Sequence, residues 1–172
     1  MDQEKSLPDS GNGQGQSGQT QLVINRVYVK DVSFEVPLGA EAFTRQWQPR
    51  VKQDVAIEVH NLADDQYEVE LHITVAVQQD EQVLCVAEVQ QAGIFLLTGV
   101  EPGQLAQILN THCPAILFPY ARELIDSLVV RGTFPALMLP PVNFEAIFQN
   151  AVMEKSQGTA GSATDQQPDK IN

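Results

Sequence analysis

The chain has 172 residues, of which 43% are hydrophobic, and a formal net charge of −12. This length fits one domain with a sizeable core. The acidic balance excludes a nucleic-acid partner and an anionic membrane surface as expected ligands, because both require clustered Lys and Arg. Since no run of 18 apolar residues occurs, the sequence predicts no membrane insertion.

Both ends of the chain are polar. Residues 1–20 and 155–172 are rich in Gly, Ser, Gln and Asp, and we expect both to be disordered tails around a folded domain at 21–154. The N-terminal tail has no apolar core and therefore does not resemble a secretory signal. Cys85 and Cys113 have no CxxC spacing, which indicates buried free thiols and a cytoplasmic protein.

The first half of the folded region predicts four strands. Residues 21–36 are rich in β-branched and aromatic residues, with apolar groups on both faces. Residues 51–60 and 67–78 alternate with a period of two, and residues 83–97 form the fourth run. Short turns at 61–65 and 78–82 indicate an antiparallel sheet with one covered face and one wet face. The long connection at 37–49 holds two large aromatics, so we expect it to pack against the domain.

The second half changes to a helical period. Pro114 is expected to interrupt a first helical segment, whose apolar side carries Leu105, Ile108, Leu109 and His112. A second helix at 116–131 should stop at Gly132, and a proline-rich connector leads to a last helix that Asn143 can cap. The predicted fold class is α+β, a four-stranded antiparallel sheet packed with C-terminal helices.

Residues 113–148 are unusually apolar for so acidic a chain. They hold five of the eleven aromatic residues and five of the ten prolines, but only five charged residues. This apolar surface must be buried against the same chain, against a second copy or against a partner. Each of these three destinations is compatible with the pattern.

Charge is distributed unevenly along the chain. Between Lys52 and Arg122 there are ten acidic residues and no Lys or Arg. Such a stretch is often only a solvated face that keeps the protein soluble. The alternative is an electrostatic landing surface for a basic partner.

No motif for catalysis is present. His60, His72 and His112 lie on separate predicted elements without metal-ligand spacing, and HExxH and GxSxG are absent. His112 and Cys113 are neighbours that point to different helix faces, so they would not form a catalytic pair. We therefore expect no enzyme, no metal and no cofactor, which leaves a binding module or a structural oligomer.

Six sequence blocks point to a known family. They are RVYVKDVSFEVP, WQPRVK, LADDQYEV, AEVQQAGIF, CPAILFPYARELI and RGTFPALMLPPVNFEAIF. In this order they resemble the SecB family of bacterial protein-export chaperones. The resemblance implies a SecB-like chaperone domain at 21–154 and a homotetramer built as a dimer of dimers. It also implies an ATP-independent holdase that binds unfolded preproteins and delivers them to the SecA ATPase. The alternative is a structural oligomer or adaptor without client binding.

The resemblance also implies site residues. The client-binding positions it assigns in this chain are Phe43, Trp47, Tyr120, Phe144 and Phe148. The SecA-binding positions are Asp31, Glu35, Val86 and Glu88. Cys85 stands where many relatives have an aromatic residue, so we expect part of a client subsite to be narrower.

Overall fold

The computed structural model describes residues 20–44 and 46–160. It contains four strands and two helices, which are β1 (Gln21–Glu35), β2 (Arg50–Ala63), β3 (Gln66–Gln79), β4 (Gln82–Thr98), α1 (Pro102–Arg131) and α2 (Phe144–Ala160). The predicted α+β class is confirmed. Helix α2 continues six residues beyond the domain boundary predicted at 154. The rest of the predicted tails, residues 1–19 and 161–172, lies outside the described residues.

The sheet is antiparallel throughout, with the order β1-β4-β3-β2. Asp80 and Glu81 form a two-residue turn between β3 and β4, with φ angles of 50° and 63°. Positive φ at both positions is typical of the type I′ turn, whose twist matches that of a hairpin. Because β1 and β2 are opposite edges of the sheet, the connection between them has to cross it, which explains its length. A short 3-10 helix at Gly39–Phe43 lies within that connection.

The helix-facing side of the sheet is the core. The alternation predicted for the third strand is confirmed, because five of its apolar side chains are at most 1% exposed, namely Val69, Leu71, Ile73, Val75 and Val77. Helix α1 covers mainly β3 and β4. One part of the outer face differs from the wet face that we expected, since Glu68 and Glu70 are 9% and 4% exposed. Tyr28 and Lys30 of β1 reach over the small Ala92 of β4 and contact these two carboxylates.

Helix α1 is continuous, so the expected break at Pro114 is wrong. Pro114 and Pro119 both lie inside the 30-residue helix. Each lacks the N–H of a helical hydrogen bond, a loss that costs about 3 kcal/mol in an exposed helix. A stripe of side chains buried against the sheet at four-residue intervals offsets this cost: Leu109, Cys113, Leu117, Ala121, Ile125 and Val129. His112, which we expected on the apolar side, is exposed.

Helix α1 ends at Arg131, as predicted, but for a different reason. Gly132 has φ −73°, and it is Thr133 that adopts the left-handed φ of 64°. A Cβ on Gly132 would lie 2.4 Å from the Phe34 ring, so glycine is needed there for close packing onto β1. Among the described residues, neither helix combines the length and the apolar character that crossing a bilayer demands.

Both cysteines are buried free thiols, as predicted. Burial raises the pKa of Cys85 to about 11 and that of Cys113 to about 12, because the charged thiolate is poorly solvated there. Cys85 is 1% exposed and belongs to the core. Its own side chain therefore lines no open groove in this chain.

Candidate functional sites: a set of aromatic surfaces and an acidic sheet face

The β1–β2 connection places two aromatic side chains on a buried third one. Phe43 stacks on Phe134 with ring centroids 5.0 Å apart, and Trp47 lies 5.7 Å from the same ring. Phe134 is 4% exposed, whereas Phe43 and Trp47 are 52% and 37% exposed. We call these three residues the loop aromatic cluster. It presents two apolar rings to solvent on a fixed base.

Gln79, the last residue of β3, holds the loop that carries Trp47. Its Oε1 accepts a hydrogen bond from the Gln48 backbone N–H, and its Nε2 donates to the Gln46 carbonyl, each at 2.9 Å. One amide thus satisfies a donor and an acceptor on either side of Trp47. This arrangement limits the conformational freedom that the indole would lose on binding a ligand.

The segment 132–143 between the helices, which we call the proline strap, is fastened to α1. The Asp126 carboxylate accepts hydrogen bonds from the backbone N–H groups of Leu137 and Met138, at 3.0 and 3.1 Å. Leu139 is 2% exposed and anchors the strap in the core. Phe134 belongs to this strap. The hydrogen bonds to Asp126 therefore help to position Phe134, and through it the whole loop aromatic cluster.

A second aromatic pair joins the two helices. Phe144 of α2 meets Phe118 of α1 edge to face, with centroids 6.1 Å apart, and is 4% exposed. Asn143 caps α2 as predicted, because its Oδ1 accepts the Ala146 N–H at 3.0 Å. Phe148, one turn further along α2, is half-buried. Of the two client-binding positions predicted on α2, Phe144 is therefore buried and Phe148 is partly accessible.

Tyr120 lies apart from the other aromatic residues assigned to client binding. It is 54% exposed and lines a cavity of about 490 Å³ between α1 and β1, together with Val27 and Val29. The five predicted client residues thus fall in three places rather than in one groove. Phe134 is not among the predicted client residues, although its position between Gly132 and Pro135 marks a fixed aromatic in the strap.

The four residues assigned to SecA binding come together on the outer face of the sheet. In the β1–β4 register, Ser33 is opposite Glu88 and Glu35 is opposite Val86, with Asp31 two residues before Ser33 on the same strand. Their side chains share one face of two strands that lie about 4.8 Å apart. Asp31, Glu35 and Glu88 are exposed. We call this group the β1–β4 acidic face.

Comparison with known proteins decides the family. A family described as "Preprotein translocase subunit SecB" matches residues 15–155. The chain belongs to the SecB family. It is 46% identical to "Protein-export protein SecB" of Marinobacter nauticus over 155 residues, which is 90% of this chain and 94% of that protein. It is 44% identical to the Cellvibrio japonicus protein of the same name, over 91% of this chain and 92% of that protein.

A solved structure shares the fold at much lower identity. It is a Mycobacterium tuberculosis SecB-like chaperone in complex with a peptide from an antitoxin, 17% identical to this chain. The match has a TM-score of 0.56 and covers 70% of this chain and 87% of that one. This likeness concerns the fold alone, whereas the family match and the two relatives show that the chain belongs to a family of protein-export chaperones.

Proposed function

We propose that this SecB-family chain is a cytoplasmic, ATP-independent holdase that binds unfolded preproteins and hands them to the SecA ATPase. The observation that carries the proposal is the loop aromatic cluster, in which Phe43 and Trp47 are exposed and yet held in place by buried Phe134. No catalytic step is assigned to the chain. The competing function is a structural oligomer or adaptor without client binding.

The aromatic surfaces suit the chemistry of an unfolded client. An unfolded chain exposes apolar side chains, whose burial is worth roughly 25 cal/mol per Å². Rings that are already fixed lose little entropy on binding, so more of this gain is retained. Because Tyr120, Phe148 and the loop aromatic cluster are separate, one long client can engage several weak sites and gain avidity through effective concentration.

Strand β1 supports self-assembly into the proposed homotetramer, a dimer of dimers. It is an edge strand of 15 residues, and its helix-side residues Ile24, Val29 and Val32 are 42–46% exposed. Helix α1 lies over β3 and β4, so these three side chains of β1 remain uncovered. An exposed edge with apolar side chains is a surface that proteins pair or cover, and a second copy would do so.

The β1–β4 acidic face supports SecA docking. Three exposed carboxylates within one patch create a negative potential that attracts a basic segment and speeds encounter. Val86 lies opposite Glu35 and two residues from Glu88, and it offers apolar contact. The face is opposite to the side of the sheet that carries α1, so a client on the helices and SecA on the sheet could bind at the same time.

Client binding is tested by measuring the affinity of an unfolded, fluorescently labelled preprotein. Trp47→Ala, Tyr120→Ala and Phe148→Ala should each weaken it several-fold while the oligomer mass stays unchanged. Leu62→Ala is the matched control, because Leu62 is 49% exposed at the far end of β2. Unchanged affinity in all three aromatic variants would refute the assignment.

SecA docking is tested by charge reversal. Glu88→Lys should lower SecA affinity and leave client affinity intact. Asp64→Lys makes the same change in net charge at the exposed β2–β3 turn, about ten residues along the sheet from the β1–β4 acidic face, and should have a small effect. Equal losses in both variants would mean that only net charge matters.

A further inference from the structure

The outer face of β2 and β3 brings together side chains with metal-binding atoms. Glu58 and Glu70 are directly opposite each other in the β2–β3 register, and His60 is the next residue on the same face of β2. The His60 Nε2 atom lies 3.1 Å from Glu70 Oε1 and 3.8 Å from Glu58 Oε2. Ligand atoms of all three residues fall within 4.8 Å of one another.

This cluster has an excess of negative charge, which favours binding of a cation. Like charges directly opposite each other on a sheet are destabilising, and the Glu70 side chain is only 5% exposed. Glu68 lies beside it, so three carboxylates share the region with one ammonium, that of Lys30. The three carboxylates and the one ammonium together leave an excess of two negative charges, which a divalent ion would reduce.

His72 provides an independent indication. The His72 side chain is 25% exposed, but its Nε2 atom is buried and forms no hydrogen bond among the described residues, and it lies 3.3 Å from Glu70 Oε2. A buried ring nitrogen without a partner is uncommon in native proteins. His72 faces one carboxylate oxygen of Glu70 and His60 faces the other. His72 could therefore bind an ion held by Glu70 directly, or it could orient the Glu70 carboxylate.

We propose that Glu58, His60 and Glu70 form a binding site for a divalent first-row transition ion such as Zn²⁺, with His72 beside it. Tetrahedral zinc with bonds of about 2.0–2.2 Å separates its ligand atoms by about 3.3–3.6 Å. The separations of 3.1 and 3.8 Å around His60 Nε2 bracket this range. Imidazole together with carboxylates favours such an ion over Mg²⁺, which prefers oxygen ligands alone.

Lys30 competes for the same carboxylate. Its ammonium contacts Glu70 Oε1, the oxygen that also faces His60. The Lys30 side chain is 41% exposed, so it can swing into solvent when an ion arrives. Removing this amine should therefore strengthen metal binding, which a purely structural role for the cluster would not predict.

The test is isothermal titration calorimetry of Zn²⁺ into the tag-free full chain, with Mg²⁺ as the comparison ion. One Zn²⁺ per chain is expected for the wild type, with at least tenfold weaker binding by His60→Gln and Glu58→Gln and tighter binding by Lys30→Met. His112→Gln is the control, because His112 is an exposed histidine on α1 outside the cluster. Circular dichroism verifies that each variant is folded.

Two results would overturn the proposal. One is that both His60→Gln and Glu58→Gln bind Zn²⁺ as tightly as the wild type does, which would place the ion elsewhere. The other is no saturable Zn²⁺ binding by either the wild type or Lys30→Met. X-ray absorption of the loaded protein adds a direct readout, since the proposed site supplies nitrogen and oxygen ligands and no sulfur, whereas binding at Cys85 or Cys113 would supply sulfur.

Discussion

Replacing Phe134 by Ala should both destabilise the domain and free Trp47. The Phe134 ring is 4% exposed and contacts two other rings at 5.0 and 5.7 Å. Truncating a buried Phe to Ala costs about 3–5 kcal/mol in unfolding free energy. Phe134→Leu keeps most of the apolar volume and loses mainly the two ring pairs, each worth about 0.5–1.5 kcal/mol, so its cost should be about 1–3 kcal/mol.

The single tryptophan of the chain makes the assay local. Urea unfolding at one fixed chain concentration gives the free energies, and acrylamide quenching of Trp47 reports how accessible the indole is in the native state. Quenching should rise in Phe134→Ala. Phe118→Ala is the control, because it removes a comparably buried ring whose aromatic contact is with Phe144. If Phe134→Ala quenches like the wild type, the ring does not hold Trp47.

Three further substitutions each test one contact of the fold. A Cβ at Gly93 would lie 2.7 and 2.9 Å from two buried side chains, so Gly93→Ala should cost about 1–3 kcal/mol in urea unfolding, whereas Gly103→Ala, with nothing within 4 Å, should cost nothing. Asp126→Ala leaves two strap amides without their acceptor and should speed their hydrogen exchange, while Asp126→Asn should preserve part of the protection. The hydrogen bond from Tyr28 is the main cause that lowers the pKa of Glu68, so the stability it contributes is present above pH 4.5 and is lost as the pH falls through the folded pKa. Tyr28→Phe should therefore be about 1–2 kcal/mol less stable at neutral pH, with a gap to the wild type that shrinks in acid; a constant gap would contradict the linkage.

Local pattern was enough to predict the strands and most of the helical region. The apolar side chains that alternate from Val69 to Val77 do line the buried face of β3, whereas the burial of Glu68 and Glu70 on its other face was not predicted. The order of the strands could not be predicted, because pairing β1 with β4 is a contact between segments far apart in sequence. Proline misled the prediction of α1, since its local cost is outweighed by a buried stripe that spans the whole helix.

The residues of the candidate sites could also be predicted only in part. Family resemblance named Asp31, Glu35 and Glu88, and the β1–β4 register places them on one face. The partnership of His60 with Glu70 was invisible, because spacing along one strand says nothing about a neighbouring strand. For a similar reason the sequence could not separate Phe144, which is buried, from Phe148, which is at the margin.

The central claim is that exposed aromatic rings of this chain hold unfolded proteins. Its most direct test is light scattering after a denatured client is diluted into buffer with the full-length protein. The wild type should delay aggregation at a stoichiometric ratio without ATP, and the double variant Phe43→Ala, Trp47→Ala should delay it much less. No delay by the wild type, or the same delay by the double variant, would contradict the claim.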